Sequence, residues 1–186
     1  TGTFSIRGGR VDRLSYEMLA GRVGYQGGVF DVDVRLDQAP AVWLTATGTV
    51  PLGLVAPSQP DDPIRVSIRS SPIALGLVEG VTAAIRDVRG EMRMNVDVLG
   101  TARDPHVEGI VELADAGFTV PGTGALYKNG SARFEIVRDR VTVGAFHLED
   151  RNGRSLDVRG SLGTHELRVG ELEIDADARR FEVLRN

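Results

Sequence analysis

The sequence predicts an all-β protein, and two observations carry that expectation. Apolar and charged residues alternate with period two from one end of the chain to the other, and turn signals recur about every ten residues. Cysteine is absent, which excludes a disulfide scaffold and a thiolate metal site and fits an oxidising compartment. Alternation is the signature of a pleated strand with one apolar and one wet face, because successive side chains point to opposite sides.

Phe30-Asp31-Val32-Asp33-Val34-Arg35-Leu36-Asp37 puts every apolar group on one face and every charge on the other. The same pattern recurs in Ile64 to Arg69, Met92 to Val98, Ala132 to Ile136 and Leu172 to Asp177, with shorter copies at Leu156 to Arg159 and Leu167 to Val169. Turns are expected at Gly27-Gly28, Asn129-Gly130, Arg138-Asp139 and Asn152-Gly153, since Asn and Gly tolerate the positive φ of tight hairpins. One stretch departs from period two. Ile73, Leu77, Val81, Ala84 and Ile85 follow Ser70-Ser71-Pro72 at a spacing of three or four, which predicts a short helix over 72–87. The Pro-rich segment 56–63 reads as a surface loop and a candidate sub-boundary within a single unit of 1–186. Gly48-Thr49, Gly100-Thr101 and Gly160-Ser161 read as strand-ending steps of a loosely repetitive array.

Lys and Arg number 22 against 26 Asp and Glu, a net charge of −4, so no positive field exists to hold a nucleic acid. No apolar run reaches the roughly 20 residues of a membrane span. The chain opens on Thr1-Gly2-Thr3-Phe4 and reads as an internal piece of something longer. His106, His147 and His165 lack metal-site spacing. Gly122-Thr123-Gly124 has no third glycine and no βαβ context, and Asp150, Asn152 and Gly153 fit a hairpin turn better than a calcium loop. Adjacent carboxylates such as Asp61-Asp62 and Glu149-Asp150 diverge on extended backbone. No catalytic residue, metal or cofactor is expected.

A long sheet with one apolar face must cover it, as a sandwich, a barrel, or a trough that shares its lining with a ligand. Periodicity alone leaves these open. Only 5% of residues are aromatic, and the apolar positions are mainly Val, Ile, Ala and Met, a smooth wall suited to acyl chains. At about 0.8 kcal/mol per buried methylene, a fifteen-carbon chain gains on the order of 12 kcal/mol before the cost of ordering it.

A longer pattern joins these strands. Val88-Arg89-Gly90-Glu91 leads into Met92 to Val98, followed by Leu99-Gly100-Thr101-Ala102-Arg103-Asp104-Pro105 and the strand through Val111 and Phe118. Leu126 to Gly130, Phe134 to Ile136, Arg140 to Val143 and Val158-Arg159-Gly160-Ser161-Leu162 continue the series, and Trp43 to Leu52 precedes it. In this order the motifs resemble the AsmA-like family that includes TamB of the translocation and assembly module. The resemblance implies a long, strongly curved antiparallel sheet, a taco-like trough with an apolar interior and one short helix. It also implies a periplasmic location in a double-membrane bacterium, with an inner-membrane anchor outside this stretch. The implied function is non-catalytic: sheltering phospholipid acyl chains for transport between inner and outer membranes, with a TamA-type outer-membrane barrel partner engaged through regions not present here. The expected lining is Phe30, Val32, Val34, Leu36, Ile64, Val66, Ile68, Met92, Met94, Val96, Val98, Val111, Leu113, Phe134 and Ile136. Two further classes are open: a scaffold that assists outer-membrane barrel assembly or secretion by strand addition, and a carbohydrate-active β-helix with convergent carboxylates.

Overall fold

The computed structural model describes residues 1–11, 14–54, 62–76, 84–138, 140–165 and 168–183. The strands are β1 (Gly2–Val11), β2 (Leu14–Gln26), β3 (Val29–Ala39), β4 (Val42–Pro51), β5 (Pro63–Ser70) and β6 (Ile73–Ala74). They continue as β7 (Arg86–Thr101), β8 (Pro105–Val120), β9 (Ala125–Val137), β10 (Arg140–Asp150), β11 (Ser155–His165) and β12 (Arg168–Ala178). All twelve belong to one antiparallel sheet. Eleven lie in sequence order, and the short β6 pairs beside β5 on β7. β1 and β12 are open edges among the described residues, so the sheet is not a closed barrel. Antiparallel pairing throughout also excludes a β-helix, whose strands are parallel.

Turn chemistry sets the meander. Gly27-Gly28, Pro40-Ala41 and 151–154 connect successive strands tightly, as does 121–124, where Gly124 N donates to Val120 O at 2.8 Å. Asn129-Gly130 is not a hairpin turn. It lies inside β9, where Asn129 takes φ 52°. Register shifts follow nearby, between Leu113 and Ala116 on β8 and between His147 and Glu149 on β10. These are bulges, each of which adds local twist and re-aims the side chains beyond it.

The helix expected over 72–87 does not start where its spacing places it. Ile73 and Ala74 pair with Met92 and Glu91 as strand β6, and Arg86 already belongs to β7; residues 77–83 lie outside the described set. Ile73 is 2% exposed, so its burial against the sheet outweighs a helical spacing that two glycines already weaken. The Pro-rich loop does not divide the sheet, because β4 pairs with β5 across it; residues 55–61 are outside the described set.

Gly48 and Gly160 sit within β4 and β11 rather than at strand ends. Gly48 adopts φ 141°, and a Cβ there would stand 1.9 Å from Arg65 O on the neighbouring strand; Gly109 has φ 137° and would meet Asn95 O at 2.1 Å. Only a residue without Cβ permits these strand backbones to approach so closely. A sparsely allowed backbone costs about 1–3 kcal/mol on its own. Gly48→Ala and Gly109→Ala are therefore each expected to lower stability by about 2 kcal/mol or more, read as a drop in urea midpoint with the far-ultraviolet spectrum unchanged.

Candidate functional site

The pairing register decides which side chains share a face, because directly opposed residues in an antiparallel pair project to the same side. One row crosses the whole sheet: Phe4, Gly21, Val34, Ala46, Ile68, Val96, Gly109, Ile136, Val141, Leu162 and Leu172, each opposite the next. No polar side chain interrupts it. A second row runs Val23, Val32, Gly48, Val66, Val98 and Val107. Met94, Val111, Phe134 and Val143 form a third with Gly160 and Ile174, and Leu36 opposes Leu19 and Leu44 at its other end. Met92, Leu113, Ala132, Phe146, Val158 and Ala176 form a fourth. Phe30 joins the same face between Tyr25 and Val50, and Ile64 joins it opposite Gly100. All fifteen residues expected from alternation thus share one side.

Their exposure is as informative as their placement. Ile64 and Val96 are buried at 3% and 7%, while the other thirteen are half-buried. The whole chain exposes 11638 Å², where a compact protein of its 20.0 kDa would expose about 8,700 Å². An apolar face locked under a second layer would have most of these groups fully buried. Here thirteen of the fifteen keep partial exposure on a single-layered sheet.

The opposite face is polar, and several of its charges are paired. Arg69 holds both carboxylate oxygens of Asp97 at 2.9 Å, and Ser67 Oγ donates to the same carboxylate at 2.6 Å. Those bonds, first from Arg69 and then from Ser67, depress the Asp97 pKa. Arg133 pairs with Glu112, and Arg35 bridges Asp37 while lying over the Trp43 ring. His147 Nδ1 lies 2.8 Å from Asp157 on this side. Among the described residues no group of His, Asp and Glu has the arrangement to hold a metal ion.

Alternation missed two parts of the site. Glycines and alanines, such as Gly21, Ala46 and Gly109, fill gaps between the bulky positions, and their neighbours in β2 and β4 do not stand out as apolar runs. The second part is an aromatic cluster at the strand end formed by β8–β11. Tyr127 is 8% exposed and packs between Phe118, at 5.3 Å between ring centroids, and Phe181, stacked at 5.4 Å. Ala125, Leu148 and Phe146 complete it. The bulge at Asn129 returns Tyr127 to the apolar face, which strict alternation from Phe134 would not predict; the Asn-Gly pair was the available signal.

Phe181 arrives on a strap of residues 179–183 that follows β12 and folds back over the sheet end. Asp150, 1% exposed, is its anchor. The carboxylate accepts from Asn152 N, Arg154 N, Arg154 Nε and Glu182 N at 2.8, 3.0, 2.7 and 3.1 Å. Burial opposes its ionisation, but the hydrogen bonds from Arg154, Glu182 and Asn152 prevail and bring the pKa down to about 2. Tyr127 OH donates to the carbonyls of Glu182 and Val183, and burial followed by the charges of Glu182 and Asp150 raises its pKa.

No family model matches the chain, and no curated protein or solved structure is significantly similar to it.

Because the folded pKa of Asp150 lies below its unfolded value near 4, its ionised form favours the folded strap above that pH. This contribution is lost as pH falls through about 2. Tyr127 amide exchange is expected to accelerate over that window in the native chain, and Asp150→Asn is expected to show the faster exchange already at neutral pH.

Proposed function

We propose that the apolar face shelters phospholipid acyl chains, and that the chain is a non-catalytic, periplasmic module for moving lipid between inner and outer membranes in support of outer-membrane biogenesis. The observation that carries this reading is the unbroken row from Phe4 to Leu172, apolar or glycine on all eleven strands, with most of its neighbours half-buried. Eleven strands at about 4.8 Å spacing make a path of about 48 Å along the sheet. One leaflet of bilayer hydrocarbon is about 15 Å deep, so the path is about three acyl-chain lengths long.

Curvature into a trough would let this face wrap its guest. The close-approach glycines Gly48 and Gly109 and the bulges in β7–β10 are devices of the kind that bend and coil sheets. In this reading the affinity would come from methylene burial alone.

A second reading draws on the open edge at β12, whose main chain can accept an added strand from an unfolded outer-membrane barrel protein. Native mass spectrometry of purified chain separates the two. Copurified phospholipid, lost in Val34→Asp and Val96→Asp while both variants keep the wild-type circular dichroism, is the expected result. Folded variants that retain lipid would refute the lining, and crosslinks from β12 to unfolded barrel protein without bound lipid would favour the scaffold.

A further inference from the structure

Aromatic residues are scarce in this chain, with six Phe, three Tyr and one Trp, yet four of them meet at one place. Phe118, Tyr127, Phe146 and Phe181 gather where β8–β11 end. The first three stand on the sheet. Phe181 does not; it belongs to the strap, which adds no strand, and it lies flat on Tyr127 with the ring planes 7° apart. Beneath it lie Ala125 and Leu148, only 3% and 5% exposed with the strap in place.

The strap and the turn it rests on are separable. Glu182 is the point of attachment: its N–H donates to Asp150, its carbonyl accepts from Tyr127 OH, and its carboxylate takes Asn152 Nδ2 at 3.3 Å and Arg154 Nη2 at 3.5 Å. Without the strap, Asp150 keeps its bonds from Asn152 N, Arg154 N and Arg154 Nε, and Asp150 N still donates to Arg154 O at 2.9 Å. Three of the four donors to the buried carboxylate therefore survive departure of the strap, and the β10–β11 turn has no need of it.

The slot under Phe181 is also continuous with the apolar face. Leu113, Ala132 and Phe146 oppose one another in register and lead from the middle of the sheet to the cluster. β9 and β10 are interior strands with paired backbones, so an incoming peptide has no edge to extend there. A ligand can be held only by apolar contact, and hydrocarbon is the chemistry that fits.

We propose that the slot beneath Phe181 is a binding site for the end of a phospholipid acyl chain, occupied in this structure by the chain's own strap, which the hydrocarbon displaces on loading. The proposal rests on the apolar face being a lipid surface and assigns to that face a gated end.

The test is ¹⁹F NMR on the whole chain labelled with 3-fluorotyrosine, the three signals being assigned by Tyr16→Phe, Tyr25→Phe and Tyr127→Phe. Vesicles of phosphatidylethanolamine and phosphatidylglycerol are the lipid source, and native mass spectrometry scores loading. Loading is expected to shift the Tyr127 signal, because the stacked ring leaves it. Phe181→Ala is expected to show a shifted signal without lipid and to take up pyrene-labelled phosphatidylethanolamine several-fold faster. Glu182→Ala, which removes only the strap's carboxylate contacts to Asn152 and Arg154 and keeps its backbone bonds, is expected to move both readouts in the same direction by less. A loaded protein whose Tyr127 signal is unmoved, or a folded Phe181→Ala with unchanged uptake, overturns the gate and leaves the lipid surface standing. Absence of loading in wild type and both variants overturns the two together.

Discussion

Everything in this sheet depends on pleat phase being kept from strand to strand. Side chains alternate with period two, so a slip of one residue between any two neighbours would turn a whole strand's apolar set to the wrong side. The row from Phe4 to Leu172 exists because ten successive pairings preserve that phase. Where the ladder is interrupted, as between Val143 and Ala145, the next side chain on the apolar face is Phe146, and the face is recovered. A bulge inserts one residue, and the sequence around it is written to absorb the insertion.

The polar side has a different task. An open sheet cannot gain its stability from a deep core, and only a handful of apolar residues among those described are fully buried. Cross-strand pairs such as Arg69 with Asp97 and Arg133 with Glu112 contribute modestly each, roughly 0.2–1 kcal/mol. Their larger effect is on register, since a slipped β5 or β9 would set these charges against apolar neighbours.

Strands and their faces were legible because alternation in β3, β5 and β7 is nearly perfect, and the fifteen apolar residues inferred from it share one face of the sheet. Local signals failed where longer-range packing decided. Ile73 follows a helical spacing but is drawn into a two-residue strand by burial beside Met92. Asn129-Gly130 has hairpin chemistry, yet the same tolerance of positive φ serves a bulge in mid-strand equally well. The anchor at Asp150 was invisible because its partners lie at Arg154 and Glu182, the latter 32 positions away, and nothing in a carboxylate's immediate neighbours announces a distant amide.

The edge at β12 carries Glu171, Glu173, Asp175 and Asp177 on one side of the strand and Leu172, Ile174 and Ala176 on the other. Eleven strands on an antiparallel path is an odd number, so β1 and β12 run in the same direction. Two copies that kept their greasy sides aligned could join in antiparallel fashion at this border only by setting β12 against β12, acid against acid. Joining β12 to β1 would instead require parallel pairing, foreign to the rest of the sheet. Strand count and border charge together thus disfavour pairing of β12 with a second copy, the hazard that an open strand otherwise invites.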